Sequence, residues 1–156
     1  MFNRFVLYCL SAVVMSSGSG LAQSPNGVRT LTPLGAPKAE GTWSLGARAG
    51  DFVFIAGMAG VDPASNTMVP DPQAQIRQAF LNIRTIAQSE GASLQDCVRL
   101  TVYVSDLNRF APLVDAAQQE LWGTAPFPPR TLIEVQRLFD GMIVEVEGTF
   151  YAPAKK

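Results

Sequence analysis

The chain of 156 residues contains no histidine and only 2 cysteines, and 16% of it is charged. Without histidine there is no Ser–His or Cys–His dyad, no imidazole metal ligand and no imidazole acid or base. Two cysteines are too few for a thiolate zinc site or an iron–sulfur site. Catalysis would have to run on carboxylates, Arg, Lys, Tyr, Ser, Thr, backbone groups or water. Lys and Arg number 12 against 13 Asp and Glu, a formal net charge of −1. No basic field exists to gather phosphates, so nucleic acid is not expected as a partner.

What is present suits one packed core. Hydrophobic residues make up 47% of the chain, too many for a disordered segment. A domain usually takes about 100–200 residues, so one is expected. Residues 1–22 read as a secretory signal peptide: Arg4 precedes an apolar run from Phe5 to Met15, and Gly20 and Ala22 suit a cleavage site before Gln23. The run is shorter than the ~20 residues a spanning helix needs, and no other segment qualifies. A retained anchor is the rival reading. Cleavage would leave a periplasmic or secreted protein with no membrane segment and with Cys97 as its lone thiol. Cys97 reads as a small packing residue rather than a reactive one.

Residues 23–40 are rich in Pro and Gly and read as an N-terminal arm, with a short strand candidate over 28–32, leading into a domain over 41–156. Residues 42–47 and 52–57 are strand candidates joined by a hairpin turn at Arg48-Ala49-Gly50-Asp51. Residues 62–71 read as a proline-containing loop. Asp71 and Pro72 suit the start of a helix, and Gly91 its stop. Between them Ile76, Ala79, Phe80, Ile83, Ile86 and Ala87 recur at helical spacing.

Residues 97–105 alternate, with Val98, Leu100, Val102 and Val104 on one side and Arg99, Thr101 and Tyr103 on the other. A second helix is expected over 109–122, with Phe110, Leu113, Val114, Ala117 and Leu121 on one face and Gly123 as its stop. Two strands follow, over 130–135 and 142–152. The order, with one apolar stripe on each helix, implies one sheet with two helices packed on one face. The other face would carry Arg99, Thr101, Tyr103, Ile143, Glu145, Glu147 and Tyr151. It either meets water or is buried against further copies of the chain, which would create clefts between subunits.

Two features can carry chemistry. Arg130 stands at a strand mouth directly after Phe127-Pro128-Pro129. A guanidinium held stiffly there suits bidentate capture of a carboxylate; the alternative is a salt bridge within the protein. Glu145 and Glu147, two apart on a strand, share a face. Paired carboxylates in a partly buried place can raise one another's pKa and serve as acid or base near neutral pH; the alternative is a solvated pair.

Several segments in register resemble the RidA (YjgF) family of imine deaminases. They are Gly41-Thr42-Trp43-Ser44, Phe-Val-Phe-Ile-Ala-Gly ending at Gly57, the Glu-Gly-Ala stretch closing the first helix, Val-Tyr-Val-Ser-Asp-Leu-Asn-Arg-Phe ending at Phe110, Phe127-Pro128-Pro129-Arg130 and Val144-Glu145-Val146-Glu147. The resemblance implies a chorismate-mutase-like α+β fold, a mixed β-sheet with two helices packed on one face, and with it a homotrimer, active sites in the clefts between subunits and no cofactor. It further implies hydrolysis of a 2-imino acid, or its 2-aminoacrylate tautomer, to a 2-keto acid and ammonia. Arg130 matches the family's carboxylate-binding residue and Glu145 its water-activating one. Gly57 and the backbone of Leu132 would line the pocket, and Trp43 would stand at its wall.

Trp43, Ala56 and Leu113-Val114-Asp115 depart from the family's pattern. They point to a larger or more apolar substrate, or to weaker deamination. A non-catalytic trimer of the same fold, binding a small carboxylate or acting as a holdase, is the competing reading.

Overall fold

The computed structural model describes residues 24–124 and 126–153; the signal peptide expected over 1–22 lies outside them. Six strands form one mixed sheet, and two helices cover one of its faces. The strands are β1 (Arg29–Thr30), β2 (Gly46–Ala49), β3 (Phe52–Met58), β6 (Cys97–Val104), β7 (Arg130–Glu134) and β8 (Val144–Tyr151), in the order β1-β2-β3-β8-β6-β7. All neighbours are antiparallel except β6 and β7, which are parallel and joined through helix α2 (Leu107–Trp122). Two short strands, β4 (Val61–Asp62) and β5 (Thr67–Met68), form a separate hairpin within the stretch read as a loop. Asn66 makes that turn possible in the left-handed region, at φ 55°. Among the described residues no helix is long and apolar enough to cross a membrane.

Helix α1 (Pro72–Ser89) begins where capping chemistry places it. Asp71 accepts a hydrogen bond from the Ala74 N–H at 2.8 Å, and Gly91 takes φ 83° beyond its end. Ile76, Ala79, Phe80, Ile83, Ile86 and Ala87 are fully buried against the sheet. Each large side chain among them contributes about 1.5–3 kcal/mol of transfer free energy.

Helix α2 starts at Asp106, whose side chain accepts from the Arg109 N–H. Its buried stripe is rotated from the expected one: Phe110, Val114, Ala117, Gln118 and Trp122 are buried, while Leu113 and Leu121 are half-buried. Gln118 is drawn inward by a hydrogen bond to Arg130, and Trp122 meets Phe80 edge-on with ring centroids 6.0 Å apart.

Three strand assignments need correction. Cys97, not Val98, joins the core, because β6 carries a register shift against β8 between Cys97 and Arg99. Val98 is thereby turned outward, and burial pushes the Cys97 thiol up to about 12, which leaves it inert as a nucleophile. Residues 42–45 do not continue β2; Trp43 sits in the approach to it. Ile143 precedes β8 and packs against the core instead of lying on the open face. Its N–H donates to the buried Gln75 side chain at 3.0 Å, which holds it at the edge of the helical layer.

The sheet edge at β1 is locked by one carboxylate. Glu90 accepts from Arg29 and from Arg48 Nε, and Arg48 also donates to the Ala152 carbonyl oxygen at 2.7 Å. The end of α1, the β2–β3 hairpin and the C-terminal strand are tied together at that point. Burial raises the Glu90 pKa, but hydrogen bonds from Arg29 and Arg48 outweigh it and hold the group below the usual carboxylate range.

Candidate active site

Between Ile55 and Met58 the pairing of β3 with β8 slips, so that the bulged stretch of β3 holds one residue more than its partner. Ala56 and Gly57 lie in this bulge, opposite Glu147 of β8. A Cβ built on Gly57 would collide with the carboxylate of Glu145, so glycine leaves the space that Glu145 occupies. The Val144 and Val146 side chains on either side point into the core. Glu145 therefore projects from the sheet face opposite the helices.

That carboxylate lines a concavity of about 520 Å³ together with Trp43, Ala56, Gly57, Met58, Phe139 and Met142. Burial pushes the Glu145 carboxyl above the usual carboxylate range, and the charge of Glu147 adds to the shift. The two glutamates are not equivalent. Glu147 accepts a hydrogen bond from the Tyr103 hydroxyl at 3.1 Å and lines a different hollow with Phe54, Arg99 and Thr101. Glu145 has no hydrogen-bond partner among the described residues, which leaves it the carboxylate open to water or a ligand.

Two buried polar side chains of α1 hold the walls. Asn82 donates to the carbonyl oxygens of Ala59 and Val61 at 3.0 and 2.8 Å. Gln75 donates to the Val69 carbonyl oxygen and accepts from the Ile143 N–H, two residues before Glu145. Trp43 is 48% exposed, and its indole N–H donates to the Glu40 carbonyl oxygen at 3.1 Å.

Arg130 begins β7, as its place after Pro128 and Pro129 suggests; the Pro129 carbonyl oxygen accepts from the Leu100 N–H at 2.9 Å. Its guanidinium already has partners: Nη1 donates to Gln118 Oε1 and Nη2 to Asp115 Oδ1, each at 2.7 Å. The intrachain salt bridge is thus formed. It is a surface pair, with the Asp115 side chain 62% exposed, and a hollow of about 400 Å³ opens beside it. Such pairs contribute about 0–1 kcal/mol, so a desolvated ligand carboxylate can compete. Sequence reading missed Asp115 and Gln118 as partners of Arg130, although their i, i+3 spacing puts them on one face of α2.

The expected site residues therefore fall into two groups. Trp43, Gly57 and Glu145 share one concavity, and Arg130 lines the other. Leu132 lies on β7 with its side chain packed against the core, and it lines neither. Arg130 reaches the helical side of the sheet and Glu145 the open side. In register with β6 they stand opposite Leu100 and Tyr103, on strands either side of it, so their backbones are roughly 14 Å apart.

Comparison with known proteins gives a consistent result. Residues 34–151 match the family described as Endoribonuclease L-PSP. The chain is similar to the structure of a probable translation initiation inhibitor from Rhodopseudomonas palustris, at 46% identity and a TM-score of 0.79, covering 82% of this chain and 100% of that one. It is 38% identical over 117 residues to a RutC family protein of Pyrococcus horikoshii, 74% of this chain and 91% of the relative. It is 35% identical over 122 residues to the 2-iminobutanoate/2-iminopropanoate deaminase of Salmonella typhimurium, 77% of this chain and 94% of the relative. The segments that carried the resemblance, the mixed sheet with two helices on one face, and these matches together make the chain a member of the RidA (YjgF) family.

Proposed function

We propose that this protein hydrolyses reactive 2-imino acids, or their 2-aminoacrylate tautomers, to 2-keto acids and ammonia. The observation that carries the reading is Glu145: a half-buried carboxylate with a raised pKa and no hydrogen-bond partner among the described residues, facing a hollow kept open by Gly57. Arg130 supplies the second half, a cation with space beside it for a small acid. The name of the Salmonella relative supports the reaction class.

In the proposed reaction Arg130 fixes the substrate carboxylate. Glu145 takes a proton from a water whose oxygen bonds to the imine carbon. The protonated Glu145 returns that proton to nitrogen, giving a carbinolamine; Glu145 then carries the hydroxyl proton of that intermediate to nitrogen as the carbonyl double bond forms, and the carbon–nitrogen bond breaks with its electron pair leaving on ammonia. No oxidation occurs, and Glu145 ends as it began. A carboxylate titrating closer to neutral pH than usual suits both transfers.

One chain keeps Arg130 and Glu145 on opposite faces of its sheet, so the site is completed by Arg130 of a second copy. A homotrimer is the assembly that the family resemblance implies. The open sheet face supports self-association: Phe52, Phe54 and Tyr151 are each more than 40% exposed and lie together, with the Phe52 and Tyr151 rings 5.5 Å apart. We further propose residues 1–22 as a signal peptide that sends the mature chain to the periplasm or outside the cell; N-terminal sequencing of exported protein tests this, starting at Gln23 if correct.

The test of activity is loss of an imino acid made in situ by an amino-acid oxidase, with and without the protein. Acceleration of keto acid release over buffer is expected. A second reading, a trimer that binds small carboxylates without turnover, is favoured by Trp43 and Ala56, which bring no hydroxyl to the hollow around Glu145. Tight keto acid binding with no acceleration for any imino acid would select it.

A further inference from the structure

Several polar groups lining the Glu145 hollow pair with one another, leaving the Lys38 ammonium and one Glu40 oxygen unpaired among the described residues. Asn66 Oδ1 accepts from the Lys38 N–H at 3.0 Å, Asn66 Nδ2 donates to Glu40 Oε1 at 3.2 Å, and the Glu40 carbonyl oxygen takes the indole N–H of Trp43. Indole has one donor and no acceptor, so Trp43 offers the hollow only its hydrocarbon face. Around it stand Ala56, Met58, Val61, Phe139 and Met142. Ala56 brings neither hydroxyl nor bulk. The hollow beside Arg130 is different in kind, with Asp115, Gln118 and Gln119 on its walls.

Size points the same way. On a single chain the Glu145 hollow is an open concavity of about 520 Å³, part of which the second copy covers when it completes the site. A three-carbon imino acid has six heavy atoms; at roughly the 30 Å³ each that a liquid water takes, it would fill only on the order of 180 Å³. Unfilled apolar wall contributes no binding, whereas each buried methylene of a larger side chain does.

We infer that this protein acts on 2-imino acids with large apolar side chains, branched aliphatic or aromatic, in preference to small ones. The inference rests on the deaminase reading and deepens it. With the carboxylate on Arg130 of the second copy and the imine carbon above Glu145, the side chain lies along Trp43, Phe139 and Met142. A polar side chain of similar length meets mostly hydrocarbon along Trp43, Phe139 and Met142 and loses hydration that the few polar groups of the wall only partly replace, so it is disfavoured.

The experiment compares imino acids generated in situ from leucine, phenylalanine, glutamine and alanine, with spontaneous hydrolysis subtracted. For the leucine- and phenylalanine-derived compounds kcat/KM is expected to exceed that of the alanine- and glutamine-derived ones by about tenfold or more. In Trp43→Ala and, separately, Met142→Ala, the phenylalanine-to-alanine ratio is expected to fall by about fivefold or more. Because a ratio is read, the fraction of each variant that folds does not matter. Equal or reversed preference in an active enzyme overturns the inference and leaves the deaminase reading standing, as does an unchanged ratio in both variants. Acceleration of none of the four removes the deaminase reading, and the inference with it.

Discussion

The Glu145 carboxylate occupies the volume that any side chain on Gly57 would need. A glycine in the β3 bulge and a glutamate on the adjacent strand thus form one unit, with the bulge aiming the backbone away and the missing Cβ leaving room for the acid. Gly57→Ala is expected to push Glu145 from its place. The cost should be about 1–3 kcal/mol in stability from overpacking and about a hundredfold in kcat/KM from misplacement of the base. Chemical denaturation and steady-state kinetics on the purified variant check both; a variant with full activity would mean that Glu145 is not positioned in this way.

Glu145→Gln is expected to lower kcat/KM by about 10²–10⁴-fold, the usual share of a general base. The pH dependence follows from the raised pKa of Glu145. Activity needs the carboxylate, so it should fall on acidification at a higher pH than an ordinary glutamate would give. Stability runs the other way. The folded chain holds this proton more tightly than the unfolded one, so the group favours folding below the ordinary pKa and that contribution is lost as pH rises through the raised one. Above the raised pKa the ionised, half-buried acid is a net cost, and Glu145→Gln should raise the Tm there while it removes activity. Thermal melts at pH 4 and pH 8 test the sign.

Much of this arrangement was legible in the residues, and the failures have identifiable causes. Asp71, Pro72 and Gly91 mark the ends of α1 because capping is local, and its six buried apolar residues follow from the helical period alone. Arg130 was identifiable because two prolines precede it at a strand mouth. The β6 bulge was not, since Cys97 and Val98 are both apolar and alternation cannot tell which one turns inward. The β4–β5 hairpin pairs two residues with two in a segment that otherwise reads as turn, and its geometry depends on Asn66 at positive φ. The Asp115–Arg130 pair joins residues at either end of a parallel crossover. Periodicity within α2 could show that Asp115 and Gln118 share a face but not what returns to meet them.

Asp115 competes with any acid for Arg130. Asp115→Asn keeps an oxygen to orient the guanidinium and removes the charge. It should tighten binding of a 2-keto acid by up to about fivefold, the range of an exposed ion pair. Arg130→Ala should weaken that binding by more than about tenfold, since charged hydrogen bonds are lost. Calorimetric titration measures both; weaker binding in Asp115→Asn would show that the aspartate assists the ligand instead.

The central claim is that one catalytic site draws Glu145 from one copy and Arg130 from another. Subunit complementation tests it most directly. Arg130→Ala and Glu145→Gln are each purified, confirmed inactive, and mixed in equal amounts under conditions that exchange subunits. If sites are composite, random assembly restores about a quarter of them, pairing an intact Arg130 on one copy with an intact Glu145 on its neighbour. Recovery of about a quarter of the wild-type rate is the expected result. A mixture that exchanges subunits and stays as inactive as its parents would contradict the claim.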